Sequence, residues 1–296
     1  MRQDRRLIGM GRVMIYALAA AVFVTLGLSF AGALHPLGDS LAVFRLPLAG
    51  LAALLCALIW LSGLRRAALA GLALLALAEV PVIQSYLRAG AGHDFTLYQK
   101  NLYARPADRQ AQIADIAAVA PDFLTLQETV PSNRHVLASL KEQLPTQLDC
   151  AEPGQSGVAL ASRFPAIPGS AICAQRLAAL QLNTPKGAVW LVSMHLHWPW
   201  PHEQAEQLAG LLPVLRGLEG PVIVAGDFNM VPWSHTVRQV ARATGGKRAG
   251  PVRGSYDLFH FMPIAIDHVL APGGGVNWLR GKLGSDHRGL VAHVAL

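Results

Sequence analysis

The chain has 296 residues, of which 52% are hydrophobic and 15% charged, with a formal net charge of +7. Soluble globular domains average about 25% charged residues, so this composition excludes a chain exposed to water throughout. The length accommodates an apolar segment plus one sizeable domain.

The apolar excess sits at the N-terminal end. Val13–Leu34 is a run of 22 residues without a charge, and a membrane span needs about 20 apolar residues. Further runs cover Leu46–Leu61, reaching back to Leu41 if Arg45 is crossed, and Ala67–Ile83, with Glu79 near its end. They predict about three transmembrane helices and make residues 1–88 a membrane anchor; the alternative for each is a buried core helix. A cleaved signal peptide fits the first run less well, because it exceeds the roughly 7–15 residues of a signal core and more apolar runs follow. Arg2, Arg5, Arg6 and Arg12 precede the first run, Arg65 and Arg66 lie between the second and third, and the loop His35–Ser40 holds no Lys or Arg. Basic loops stay in the cytoplasm. The pattern therefore predicts a protein of the inner (cytoplasmic) membrane, with its N-terminus cytoplasmic and its C-terminal domain periplasmic or extracellular; Arg45 mildly opposes this.

The same distribution accounts for the net charge. Residues 1–66 hold seven Arg against Asp4 and Asp39, a balance of +5, while residues 91–296 hold 17 basic against 15 acidic residues, a balance of +2. The basic excess is mainly a topology signal and argues only weakly for a polyanionic partner. Cys150 and Cys173 are the only cysteines after Cys56. An oxidising compartment allows them to pair; two separate buried thiols are the alternative.

Residues 84–94 are polar and contain glycine, and read as a linker opening a domain over 89–296. Phe95–Leu102 reads as a strand, and Ala107–Val119 has helical spacing and stops before Pro121. Phe123–Gln127 is a short buried strand, Ser132–Leu144 a helix capped by Ser132, and Val158–Ser162 a strand. Leu177–Leu182 and Ala188–His195 flank a hairpin signal at Thr184–Gly187. His202–Leu218 is helical, with Pro213 bending or shortening it. Val222–Ala225 is a buried strand, Ser234–Ala243 a short helix, and Ile264–Leu270 and Leu290–Val294 closing strands. The mixture predicts helices covering sheets, an α/β or α+β domain.

Polar residues cluster at the C-terminal ends of these strands, where active sites of layered α/β domains gather. Asn101 ends the first strand, Glu128 the run from Phe123, and His195 another. The run from Val222 delivers Asp227 and Asn229, two positions apart and so on one face of an extended chain. Asp286 and His287 stand just before the last strand. Each alone is weak, since a strand ending in Gly-Asp-x-Asn is more often an ordinary turn.

Together and in order, Gln-Lys-Asn101, Leu-Gln-Glu128, Ser-Arg163-Phe-Pro, Ser-Met-His195-Leu, Gly-Asp227-Phe-Asn229, Ile-Asp267-His-Val and Ser-Asp286-His287-Arg resemble the endonuclease/exonuclease/phosphatase (DNase-I-like) superfamily, over residues 96–296. The resemblance implies a four-layer sandwich of two packed β-sheets flanked by helices, here following the apolar anchor. It implies Mg²⁺ or Mn²⁺ held by hard oxygen ligands: Glu128 chiefly, Asn101 beside it, Asp286 nearby. It assigns Asp227 to the attacking water, Asn229 to the phosphate, His287 as base or phosphate ligand oriented by Asp267, and His195 as a donor to the phosphoryl or leaving group. Arg163 is a phosphate contact or a structural ion pair. Where the superfamily's AP endonucleases carry an acidic residue, two positions after the first-strand Asn, this chain has Tyr103, which favours one metal.

The run from His195 to His202, with Trp198, Trp200 and His197, reads as a packed loop or as a rim touching substrate or a membrane interface. Arg238, Arg242, Lys247, Arg248 and Arg253 read as a solvated face or as a site for anionic headgroups or nucleic acid. The leading expectation is a metal-dependent hydrolase of a membrane-borne phosphate, pyrophosphate or phosphodiester, its substrate lipid-linked. The plan of three spans followed by this domain is similar to the teicoplanin-resistance membrane proteins of the superfamily, which suggests lipid-carrier pyrophosphate. The alternatives are an extracytoplasmic nuclease acting on DNA or RNA, and an inactive binding module. No protein partner is expected.

Overall fold

The apolar N-terminal sequence winds into helices. In the computed structural model these are α1 (Arg2–Leu28), α2 (Leu37–Ala42), α3 (Arg45–Leu61) and α4 (Arg65–Leu87). The structure describes residues 2–296 except Ala89, Pro106, Glu152, Pro153 and Gln155, with side chains from Met10 onward. Arg2, Arg5 and Arg6, used above for orientation, lie outside the described side chains. The chain divides into two compact units, Met1–Ser85 with Trp233–His235, and Tyr86–Pro232 with Thr236–Leu296.

In the first unit, Ala19, Val22 and Leu26 of α1 pack on Ala49, Ala52, Leu55 and Ile59 of α3, with Ala68 and Leu75 of α4. Met10–Leu28 and Arg65–Leu87 are long and apolar enough to cross a membrane; α3 is shorter. The expected backward extension of the second run to Leu41 does not form, because α2 ends at Ala42 and α3 restarts at Arg45. Its 17 residues reach about 26 Å, short of the roughly 30 Å of a hydrocarbon core. Among the described residues, 22 of the 25 exposed large hydrophobic side chains fall between Met10 and Leu87. All but Leu87 of these 22 belong to the first unit.

The second unit runs β1 (Phe95–Asn101), α5 (Gln110–Val119), β2 (Phe123–Thr129), α6 (His135–Ser139), β3 (Thr146–Cys150), β4 (Gly157–Ser162), β5 (Ile172–Ala174), β6 (Leu177–Thr184), β7 (Gly187–His195), α7 (Gln204–Arg216), β8 (Val222–Asp227), α8 (His235–Thr244), β9 (Lys247–Arg248), β10 (Tyr256–Leu258), β11 (Met262–Ile264), β12 (Asp267–Ala271), β13 (Gly274–Leu279) and β14 (Leu290–Ala295). One six-stranded sheet has the order β13-β14-β1-β2-β4-β3 and the other β5-β6-β7-β8-β12-β9, with β10-β11 a separate hairpin. Each sheet is mixed: β1 runs parallel to β2, β7 runs parallel to β8, and the remaining ladders are antiparallel.

The two sheets face each other across one apolar core. Leu97, Phe123 and Leu160 of the first sheet meet Leu180, Leu182, Leu191, Ile223 and Val269 of the second. Behind the first sheet, Tyr98, Leu124, Leu126 and Ala159 pack on Ile116 of α5 and Val136 and Leu137 of α6. In α7 the apolar positions 208, 211, 212 and 215 are buried, the 3–4 spacing of a helix laid on a core. Two packed mixed sheets flanked by helices are the expected sandwich.

Several elements differ from expectation. The helix expected over Ser132–Leu144 is only α6, and Ser132 does not cap it. Instead Asn133 locks the preceding loop, its Nδ2 donating to Glu128 O (2.8 Å) and its Oδ1 accepting from Val130 N (2.8 Å). The strand expected over Ile264–Leu270 breaks into β11 and β12. β3 and β13 carry little alternation and were invisible to a periodicity argument; β13 opens on Gly274-Gly275, where a Cβ at Gly275 would stand 2.2 Å from His293 O.

Cys150 and Cys173 are disulfide-bonded, with Cα atoms 5.5 Å apart. The bond joins β3 to β5, edge strands of opposite sheets. At the other edge, β13 meets the chain after β9 through the Gly250–Val276 bridge and Asn277 Nδ2 donating to Ala249 O (2.7 Å). The sandwich is tied along both sides. Since the loop enclosed spans 23 residues, Cys150→Ser should cost about 3 kcal/mol. Thermal unfolding with and without reductant checks this: the wild type should lose roughly 6–12 °C on reduction, and the variant nothing further.

Candidate active site

The site forms where strand ends from both sheets converge. In the first sheet Asn101 pairs in register with Gln127. The next residue, Glu128, leaves the ladder: the β2–β4 register shifts between Gln127 and Thr129, and Glu128 has φ +57°. Such a bulge turns one side chain out of the pleat, and a non-glycine residue in the left-handed region stores backbone strain. The Glu128 carboxylate accepts from Asn101 Nδ2 at Oε1 (3.1 Å) and from Ala104 N at Oε2 (2.7 Å).

In the second sheet His195, Asp227 and Asp267 stand abreast in register on β7, β8 and β12. Asn101 Nδ2 crosses between the sheets to Asp227 Oδ2 (3.0 Å). The Asp227 and Asn229 side chains both line the cavity, but not through strand alternation: β8 ends at Asp227, and Asn229 has φ +49°. A turn holds them, with Asn229 N donating to Asp227 Oδ1 (2.9 Å) and Asn229 Nδ2 to Leu196 O (2.8 Å). Asparagine tolerates this backbone better than most residues.

His287 completes the cluster. Its Nδ1 lies 2.8 Å from Asp267 Oδ2 and its Nε2 3.6 Å from Asp227 Oδ2. Burial disfavours a charge on this ring, but the carboxylates of Asp267 and Asp227 outweigh it and raise His287 to about 9. Asp267 is also held by Gln99 Nε2 at Oδ1 (2.7 Å). Burial pushes this carboxyl up, yet the charge and hydrogen bond of His287 leave it below its ordinary value. Burial pushes Asp227 up to about 7, although the charge of His287 pulls the other way. His195 is driven down to about 3, by burial first and then by the charges of Arg176 and His287. The two imidazoles thus differ at neutral pH: His287 is cationic and His195 neutral, the separation that assigns distinct acid–base roles.

Buried polar ties fix these groups. Lys100 has no exposed surface, and its Nζ donates to the carbonyls of Gly281 (3.2 Å), Lys282 (2.7 Å) and His287 (2.7 Å), gripping the loop that carries Asp286 and His287. Burial lowers its pKa to about 7, against the charge of Asp267. Gln207 Nε2 donates to His195 O (3.0 Å), and Gln204 Nε2 to Phe228 O (3.1 Å), so the start of α7 holds the loops after β7 and β8. Gly226 is required between them, because a Cβ there would lie 1.8 Å from Met194 O.

A cavity of about 280 Å³ opens over the cluster, lined among others by Glu128, His195, Asp227, Asn229, Asp286 and His287. Asn101 and Asp267 lie beneath it, bonded to lining residues. Arg163 is not brought there. It pairs with Asp122 (3.2 Å) and donates to Ala120 O (2.7 Å), at the other end of β2 and about 20 Å of extended chain from Glu128; it is a structural ion pair. Of the basic residues Arg238, Arg242, Lys247, Arg248 and Arg253, Arg248 turns inward to Ala249 O (2.8 Å), and burial lowers it to about 10. Trp198 and His197 line the cavity, so part of the aromatic run is rim.

The cavity also includes Ser156, Arg176 and Tyr256, which sequence reasoning missed. Tyr256 lies 4.9 Å from the His287 ring, centroid to centroid. No local pattern marked these three, since each stands in a turn or at the end of a short element. Lys100 was readable as part of Gln-Lys-Asn, but an inward-pointing lysine is not what a strand-end motif predicts.

The residues fit a divalent cation. Asp286 Oδ1 is buried without a hydrogen-bond partner, and Glu128 faces the same cavity. Asn101 stands beside Glu128, its Nδ2 donating to Glu128 Oε1 (3.1 Å) and its Oδ1 accepting from Tyr103 N (2.9 Å). Asp227, Asp267 and His287 also bring ligand atoms within 4.8 Å of one another. Their short Asp267–His287 bond and the Gln99 donor commit Asp267, which reads as a hydrogen-bonded triad first and a metal cluster second.

An acid–base cluster thus stands beside open carboxylates at the strand ends of a two-sheet sandwich. The chain belongs to the endonuclease/exonuclease/phosphatase family, whose sequence profile matches residues 96–287. Its fold is similar to an endonuclease/exonuclease/phosphatase from Beutenbergia cavernae DSM 12333 (17% identity, TM-score 0.54, covering 69% of this chain and 72% of that one). It is also similar to truncated Caenorhabditis elegans TDP2 (18% identity, TM-score 0.53, 67% and 96%) and to a Staphylococcus aureus beta toxin (13% identity, TM-score 0.51, 68% and 100%). No curated protein sequence matches the chain.

Proposed function

We propose that the protein is a divalent-metal-dependent hydrolase of a membrane-borne phosphoester, with its site outside the cytoplasm. The observation that carries the chemistry is the placement of Asp227 beside His287, itself braced by Asp267, over one cavity that Glu128 and Asp286 also line. A base works best with a pKa near the working pH, so Asp227 takes the proton of the attacking water. His287 donates Nε2–H to a phosphoryl oxygen, while Asp267 accepts from its Nδ1–H and fixes the ring's orientation. Asn229 and neutral His195 lie within reach of the same phosphoryl group. Glu128 and Asp286 would hold Mg²⁺ or Mn²⁺, which when bound neutralises phosphoryl charge.

Three features support the membrane part. They are the apolar helices with their exposed hydrophobic surface, the arginine distribution, and a disulfide suited to an oxidising compartment. Residues 1–88 then serve as the anchor, with α3 as a short third span, and 89–296 as the catalytic domain. The test is phosphate release by the full-length protein with Mg²⁺ on lipid pyrophosphates, phospholipids and plasmid DNA. Turnover of the lipids supports the reading. Cleavage of DNA alone replaces it with a nuclease, and no turnover of any substrate leaves a binding module.

A further inference from the structure

Among the described residues after Leu87, only three large apolar side chains are exposed: Trp200 (45%), Phe259 (62%) and Phe261 (78%). They are not scattered. Phe259 and Phe261 form the tip of the β10–β11 hairpin, their rings stacked with centroids 6.3 Å apart. Trp200 lies in the run that follows His195. Rings connect both loops to the site: at the hairpin base, Tyr256 lies 5.8 Å from Trp198 and 4.9 Å from His287, and Trp198, Tyr256 and His287 all line the cavity. The exposed aromatics therefore belong to the two loops that flank the cavity mouth.

The tip is built against solvent preference. Phe259 and His260 have φ of +54° and +67°, values at which glycine and asparagine are the ordinary choice. Leu258–Ile266 contains no Asp, Glu, Lys or Arg. A water-exposed hairpin tip gains nothing from two phenyl rings, and its backbone strain persists only where the rest of the structure holds it.

We infer that the Leu258–Phe261 tip and Trp200 form a docking rim that seats the cavity mouth on a lipid surface, so that a phosphorylated headgroup reaches His287 without its lipid leaving the bilayer. The inference rests on the membrane-borne substrate proposed above. Lipid fits the rim better than nucleic acid, because the tip carries no Arg or Lys to meet a phosphate backbone. Aromatic side chains with a polar neighbour such as His260 suit the interfacial zone. The same chain carries two helices of membrane-spanning length, which keep a bilayer within reach.

The test uses full-length protein in vesicles of phosphatidylcholine and phosphatidylglycerol. Cys56 is buried and Cys150 and Cys173 are bonded, so one added cysteine takes a polarity-sensitive fluorophore. Phe261→Cys should give a blue-shifted label quenched by spin-labelled lipid. Lys186→Cys, in the β6–β7 turn just before β7 and remote from His195, should give a label that is neither. A label at 261 that stays wet, or that is quenched no more than the one at 186, overturns the inference and leaves a protein partner as the occupant. In parallel, Phe259→Asn with Phe261→Ser should lower kcat/KM on vesicle-embedded substrate about tenfold and leave hydrolysis of water-soluble bis(p-nitrophenyl) phosphate unchanged. Equal loss on both substrates, or no loss on either, also counts against the rim. Lipid quenching at 261 without turnover of any lipid phosphate would uphold the rim while rejecting the proposed substrate.

Discussion

His287→Ala should lower kcat for phosphoester hydrolysis about 10³-fold, within the range for loss of a positioned proton donor, and leave the fold intact. The pH profile carries more information than the loss itself. The base must be deprotonated, so activity falls as pH drops through about 7, where Asp227 takes a proton. The His287 donor must stay protonated, so activity falls as pH rises through about 9. The wild type should give a bell between these two apparent values, which belong to the coupled cluster rather than to single residues. Asp267→Asn removes the leading charge that raises His287 and leaves the burial that lowers it. The alkaline limb should then move to lower pH, with kcat reduced and KM little changed, and the acid limb should move the same way because the Asp267 charge also raises Asp227. The checks are kcat and kcat/KM from pH 5 to 10 for the wild type and both variants. An alkaline limb that stays in place after Asp267→Asn rules out His287 as the titrating donor.

The fold and the site were legible in the sequence to different degrees, for physical reasons. Buried strands such as Phe123–Leu126 and Val222–Ala225 announce themselves because both faces are covered and the run is apolar throughout. Their ends could be read because polar residues after such runs have few structural uses. What the sequence lacks is distance. Asp267 and Asp227 are 40 positions apart and become neighbours only because β12 lies antiparallel beside β8. Glu128 was readable as a residue, but the bulge that aims it was not, since no glycine marks its positive φ. Arg163 matched a motif and misled, because the Ser-Arg-Phe-Pro run follows a strand antiparallel to β2 and so ends at the opposite side of the sheet. The exposed phenylalanines at 259 and 261 were invisible for the converse reason: in sequence they resemble the start of an apolar strand, and only the hairpin turn shows them pointing into solvent.

Glu128→Ala should lower kcat on the order of 10³-fold, the several kcal/mol of charge stabilisation a bound cation supplies, and raise the Mg²⁺ concentration needed for half-maximal rate. Glu128 stands on a strained backbone, with its oxygens already fixed by Asn101 and Ala104. Such strain is kept where geometry matters to function, and preorganised oxygens suit a hard cation that dehydrates reluctantly. Asp286→Asn should also raise the Mg²⁺ requirement, by less, because an amide oxygen can still face the cation and only the charge is lost. The wild-type titration should fit one site, since Tyr103 brings no carboxylate beside Asn101 to hold a second cation. Metal-dependent thermal stabilisation supplies a readout independent of turnover: it follows the logarithm of metal concentration over Kd and should vanish in Glu128→Ala. If that variant keeps the wild-type Mg²⁺ requirement and thermal shift, the cation lies elsewhere, and the Asp227, Asp267 and His287 cluster becomes its place. In that case Asp227→Asn should abolish the thermal shift that Glu128→Ala leaves intact.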